Sequence, residues 1–134
     1  MKLLVLTPEP IDANFLRATL GDEVEGAEVY VVSPATNQSG LAFWMSDPDD
    51  AIREAEVAQV DTVERLEEEG IDAAGETGES EPGLALQDAM AVFPADRILI
   101  LSHPEGDRDY REDDGLADAE RRFGVPVTHA TISR

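Results

Sequence analysis

The residues whose types could do chemistry cluster after the apolar run Ile98-Leu99-Ile100-Leu101, in the stretch Ser102-His103-Pro104-Glu105-Gly106. A hydroxyl beside an imidazole, with carboxylates about, suggests nucleophilic hydrolysis. That chemistry needs Ser, His and acid to converge on one point with an oxyanion hole. Adjacent residues at the end of a strand project to opposite faces, and no Gly-x-Ser-x-Gly elbow exists. No catalytic residue is therefore assigned, and a hydrolase using Ser102 and His103 is the third-ranked reading. An anion-binding loop is the other possibility, because backbone N–H groups next to glycine can approach a phosphate. This loop has the single glycine Gly106, flanked by Glu105 and Asp107. His103 and His129 lack the spacing of a zinc or calcium site, so no metal is assigned.

The elements that must position these residues are read from pattern. Lys2 to Thr7 is a first strand, ended by Pro8 and Pro10. Asp12 is an N-cap for a helix with Phe15, Leu16 and Leu20 on one side and Gly21 as its stop. Glu28 to Val32 is a second strand, and Ser33 to Met45 a long loop with Phe43 and Trp44 expected to pack it onto the sheet. Asp47-Pro48 opens a long helix whose Ile52, Ala55, Val63 and Leu66 share a face, closed by Gly70. Ile71 to Glu76, poor in large apolar residues, is an edge strand. A helix from Glu81-Pro82 to Phe93 stops at Pro94, and the strand Ile98 to Leu101 follows. A helix from about Arg111 to Phe123, with Gly124 as its stop, leads to the strand Val125 to Ile132. Alternation of this kind gives a doubly wound, open parallel five-stranded α/β sheet of order 3-2-1-4-5 with helices on both faces, of Rossmann-like type. Strands one and four should be central, and ligands in such sheets sit at the carboxyl ends of the strands where the winding reverses.

The 134 residues fit one domain, 1–134, with a sizeable core. Thirty acidic residues against ten basic ones give a net charge of −20, and Lys2 is the only lysine. Such a surface repels nucleic acid and anionic membranes, and suits a salt-rich environment in which its self-repulsion is screened. Cysteine is absent, no apolar stretch reaches membrane-spanning length, and the short apolar start MKLLVLT is read as a strand rather than a signal peptide. A cytoplasmic protein is expected.

The strand MKLLVLT, the run GESEPGLALQDA, the strand ADRILILSHPEG and the closing FGVPVTHATI together resemble the universal stress protein family across essentially the whole chain. The resemblance implies an adenine nucleotide alpha hydrolase-like fold, a role in stress response, and a homodimer through the fifth strand at Val127, His129 and Thr131. ATP-binding members carry Gly, two residues, Gly, nine residues, then Gly with Ser or Thr after strand four. Here Gly106 suits the first position, Asp109 stands at the second, and Gly115 is followed by Leu116. The acid those members place after strand one is replaced by Thr7-Pro8, with Glu9 nearby.

The expected function is a non-catalytic stress-response module that senses a small ligand or contacts a protein partner. Thr7, Pro8, Ser33, Gly78, Ser102, His103 and Gly106 are expected to line its crevice, with Thr7 and Ser102 hydrogen bonding and Gly106 allowing close backbone approach. No firm cofactor is assigned. The alternative is a switch binding ATP or AMP, in which a cation offsets the carboxylates of the loop and Gly106→Glu abolishes binding.

Overall fold

The computed structural model describes residues 1–35, 48–78, 81–103 and 118–132, with side chains from residue 52 on in the second stretch. Five parallel strands, β1 (Lys2–Leu6), β2 (Glu28–Pro34), β3 (Asp72–Gly78), β4 (Arg97–Ser102) and β5 (Val127–Thr131), form one sheet of order β3-β2-β1-β4-β5. The helices are α1 (Ala13–Leu20), α2 (Pro48–Glu68), α3 (Pro82–Val92) and α4 (Ala119–Phe123), with a 3-10 turn at Gly21–Val24 after α1. The expected order holds, and β1 lies at the centre, between β2 and β4. Its run Leu3 to Leu6 is buried on both faces, as continuous apolar strands of parallel sheets are.

Alternation along the strands divides the core into two layers. Leu3, Val5, Val29, Val31, Leu99 and Leu101 face α1 and α2, meeting Leu16, Leu20 and Leu66. Leu4, Leu6, Val32, Ile98 and Ile100 face α3 and α4, meeting Ala85, Leu86, Ala89 and Ala119. Asp12 caps α1 by accepting a hydrogen bond from the Phe15 N–H at 2.9 Å, and Gly21 ends it at φ 70°.

β1 ends at Leu6 rather than Thr7 and β5 runs Val127–Thr131 rather than Val125 to Ile132, and further features depart from expectation. β2 continues through Ser33 and Pro34, because β3 extends to Gly78 and pairs with both, Ser33 with Thr77 and Pro34 with Gly78. Ser102 belongs to β4, held by pairing with Thr131 and by the Ile132 N–H donating to its carbonyl at 2.8 Å. Ile52 is 47% exposed, whereas Ala55, Ala58, Thr62 and Leu66 are buried. The 21 residues of α2 span about 31 Å, against about 23 Å for the seven-residue strands β2 and β3. The first turns of α2 therefore rise above the carboxyl ends of the strands, and Ile52 has no sheet beneath it. The expected start of the last helix at Arg111, and Phe43 and Trp44, lie outside the described residues.

Candidate functional site

A polar layer caps the sheet at its carboxyl end. Thr7, Ser33 and His103 each follow, at period two, the residues that face α1 and α2, and all three are fully buried. Strand pairing sets them side by side: the Thr7 N–H donates to the Val32 carbonyl at 2.9 Å, and β4 lies on the other flank of β1. Thr62 of α2, also fully buried, closes the layer from above.

Hydroxyls hold the loop after β1 in place. Thr7 Oγ1 donates to the Glu9 carbonyl at 2.7 Å and accepts from the Glu9 N–H at 3.4 Å. Thr62 Oγ1 accepts from the Ile11 N–H at 3.1 Å and donates to the Ala58 carbonyl at 2.7 Å. Pro8, half-buried, and Pro10 stiffen the chain between these ties. The loop so fixed brings Glu9 to His103, whose Nε2 lies 2.9 Å from Glu9 Oε2. That separation requires a proton between them, so Nε2 donates and the carboxylate accepts.

Ser33 is different. Its Oγ is buried and has no hydrogen-bond partner among the described residues. A buried hydroxyl left unsatisfied costs about 1–3 kcal/mol. Ser33 is thus a polar group kept at a cost at the carboxyl ends of the strands, the end at which open α/β sheets bind ligands.

The remaining expected residues sit elsewhere. Ser102 and Gly78 continue the alternation that faces α3 and α4, so they lie across the sheet from Thr7, Ser33 and His103. At Gly78 a Cβ would stand 2.6 Å from Ala85 Cβ and 3.0 Å from Val32 Cγ1, so the missing side chain lets α3 approach β3. Gly106 lies outside the described residues. Glu9 was missed as a site residue. Its signal is an acid three residues beyond the end of β1, which alone does not say where the carboxylate turns. Among the described residues, no group of three or more His, Asp or Glu side chains could hold a metal ion.

Charge is distributed unevenly between the two ends of the sheet. Lys2 and Arg97 begin β1 and β4. Arg97 pairs with Glu23 and donates to Thr128 Oγ1 at 3.1 Å. Arg17 bonds Glu25 at 2.7 Å and Glu69 at 3.4 Å, just before β2 and β3 begin, and these carboxylates raise its pKa, the Glu25 hydrogen bond most. Arg65, Arg121 and Arg122 occupy the last turns of α2 and α4, at that same amino end. Among the described basic side chains, only Arg53 belongs to a segment at the carboxyl end.

Comparison with solved structures gives the architecture a counterpart. The universal stress protein from Archaeoglobus fulgidus aligns over 96% of this chain and 97% of its own, with a TM-score of 0.63 and 20% identity. The fold is that of the universal stress proteins. A universal stress protein family protein from Arabidopsis thaliana, solved with AMP bound, aligns over 99% of this chain and 92% of its own, with a TM-score of 0.61 and 8% identity. No protein-family model and no curated protein matches the sequence. Within the universal stress protein fold, the polar layer lies where the winding reverses between β1 and β4. Among the described residues no helix is long and apolar enough to cross a membrane.

Proposed function

We propose that this chain is a universal-stress-protein-like, non-catalytic module of the cytoplasmic stress response that senses a small ligand at the carboxyl rim of its sheet. The unpartnered Ser33 hydroxyl carries this reading. It lies in one layer with Thr7 and the Glu9–His103 pair, and that layer supplies hydrogen bonds without presenting a nucleophile next to a base. Ser102 and His103 project to opposite faces, which speaks against their joint use in hydrolysis. Binding is tested by thermal unfolding of the wild type and Ser33→Ala against a panel of nucleosides, nucleotides and polyols. A ligand that raises the wild-type Tm and leaves the variant unmoved supports the reading. A panel that moves neither, or both equally, sinks it.

A second reading, a switch that binds ATP or AMP, is favoured by the AMP in the Arabidopsis thaliana structure. Calorimetry with ATP and AMP, with and without Mg²⁺, at low and high KCl, separates the two. Micromolar, Mg²⁺-dependent binding selects the switch, and absence of heat at millimolar nucleotide removes it.

A homodimer through β5 belongs to the same proposal. β5 is an edge strand whose His129 and Thr131 are exposed, while Val127 is half-buried against the α3 and α4 layer. Sedimentation of the wild type against Val127→Asp tests it, with the dimer lost in the variant. The net charge of −20 is consistent with a salt-rich habitat.

A further inference from the structure

We infer that the rim site takes an uncharged, hydroxyl-bearing molecule and rejects the phosphorylated form of the same molecule. The inference rests on the reading of the rim as a ligand site and specifies what that site accepts. Three observations carry it.

The first is the group left over for a ligand. The Ser33 hydroxyl, one donor with two acceptor lone pairs, is unpartnered and fully buried. A hydroxyl or amide on a ligand matches it in both directions. A phosphate offers acceptors alone and brings charge into a buried layer, where an ion needs a partner of opposite sign.

The second is the sign of the fixed charge paired with His103 in the same layer. Glu9 stands at the rim with its carboxylate on His103, and Thr7 and Thr62 hold its loop in that position. A phosphate entering this layer meets the Glu9 carboxylate.

The third is where the cations are. Of the seven described Lys and Arg side chains, Lys2, Arg17, Arg65, Arg97, Arg121 and Arg122 belong to the amino end of the sheet, about 20 Å away along a six-residue strand, and Arg53 alone belongs to a segment at the carboxyl end. With six of these seven cations at the far end, the described residues offer an anion little compensation at the rim, which favours neutral or cationic guests.

Adenosine and AMP differ by one phosphate and serve as the test pair. Calorimetry without divalent cation is run in 20 mM and in 1 M KCl, on wild type and Ser33→Ala. In 20 mM KCl adenosine is expected to bind at least tenfold tighter than AMP. At 1 M KCl the gap narrows, because the Debye length shrinks to about 3 Å. Ser33→Ala is expected to weaken adenosine at least tenfold with a Tm at or above that of the wild type, since the variant only removes a hydroxyl that lacks a partner. AMP binding as tightly as adenosine overturns the inference and leaves the rim as a ligand site. Unchanged adenosine affinity in Ser33→Ala, with a lowered Tm, also overturns it and assigns Ser33 a structural role. Heat from neither compound overturns it too, and the thermal panel above then decides whether the rim remains a site.

Discussion

His103 Nε2 stands 2.9 Å from Glu9 Oε2, so an imidazole buried at the end of β4 is held by a carboxylate from the loop after β1. The bond spans the point at which the chain reverses its winding. Glu9→Ala leaves the ring N–H without this acceptor inside the protein. The expected loss is about 1–3 kcal/mol in urea unfolding, with Glu9→Gln losing less because its amide oxygen still accepts. No loss in Glu9→Ala would show that the contact contributes nothing.

Thr62 ties the same loop from the other side. Thr62→Val keeps the volume and removes the hydroxyl that accepts from the Ile11 N–H. That buried N–H then goes unpaired, at a cost of about 1–3 kcal/mol. Hydrogen exchange at the Ile11 amide checks the assignment: exchange there should accelerate more than at Leu16. Uniform acceleration across α1 would mean that the loop does not depend on this bond.

At Gly78 α3 packs directly on β3. In Gly78→Ala the new methyl meets Ala85 Cβ at 2.6 Å and Val32 Cγ1 at 3.0 Å, so the helix or the strand has to shift. Overpacking of this kind costs about 1–3 kcal/mol. A chemical-denaturation midpoint equal to that of the wild type would place slack at this contact that the structure does not show.

Tyr30 links stability to alkaline pH. Burial first, and then the nearby Glu76 carboxylate, raise its phenol above the ordinary value of 10.0. The ring also stacks on Phe93 at 5.1 Å between centroids. Because the folded-state value is the higher one, the stabilisation from the neutral phenol is complete below pH 10 and is lost as pH rises through the raised value. Tyr30→Phe keeps the stacking and cannot ionise. Thermal unfolding from pH 8 to pH 11 should show the wild type losing stability relative to the variant only above pH 10, and parallel curves would contradict this.

Much of the fold was legible because period and punctuation speak locally. The continuous apolar runs of β1 and β4 gave two buried central strands, Asp12 and Gly21 bounded α1, and the small and charged residues of β3 gave an edge. The site was legible only by end. The structure sets Thr7, Ser33 and His103 together in one layer at the carboxyl end, whereas Ser102 and Gly78, expected beside them, face the other layer. Which residues share a face depends on strand register, which is fixed by pairing between segments distant in the chain. The burial of Thr62 and the turn of Glu9 toward His103 are long-range contacts of the same kind. Ile52 shows the converse, an apolar residue at helical spacing that stays exposed because the helix outruns the sheet.

The most direct test is an amide NMR titration of the uniformly ¹⁵N-labelled protein with adenosine and with AMP. The account predicts shifts centred on Thr7, Glu9, Ser33 and His103, larger for adenosine at equal concentration, and absent from the amino-end amides of Lys2 and Arg97. Shifts centred on the amino end of the sheet, or on α3 and Ser102 with Ser33 unmoved, would contradict the assignment of the ligand site to this rim.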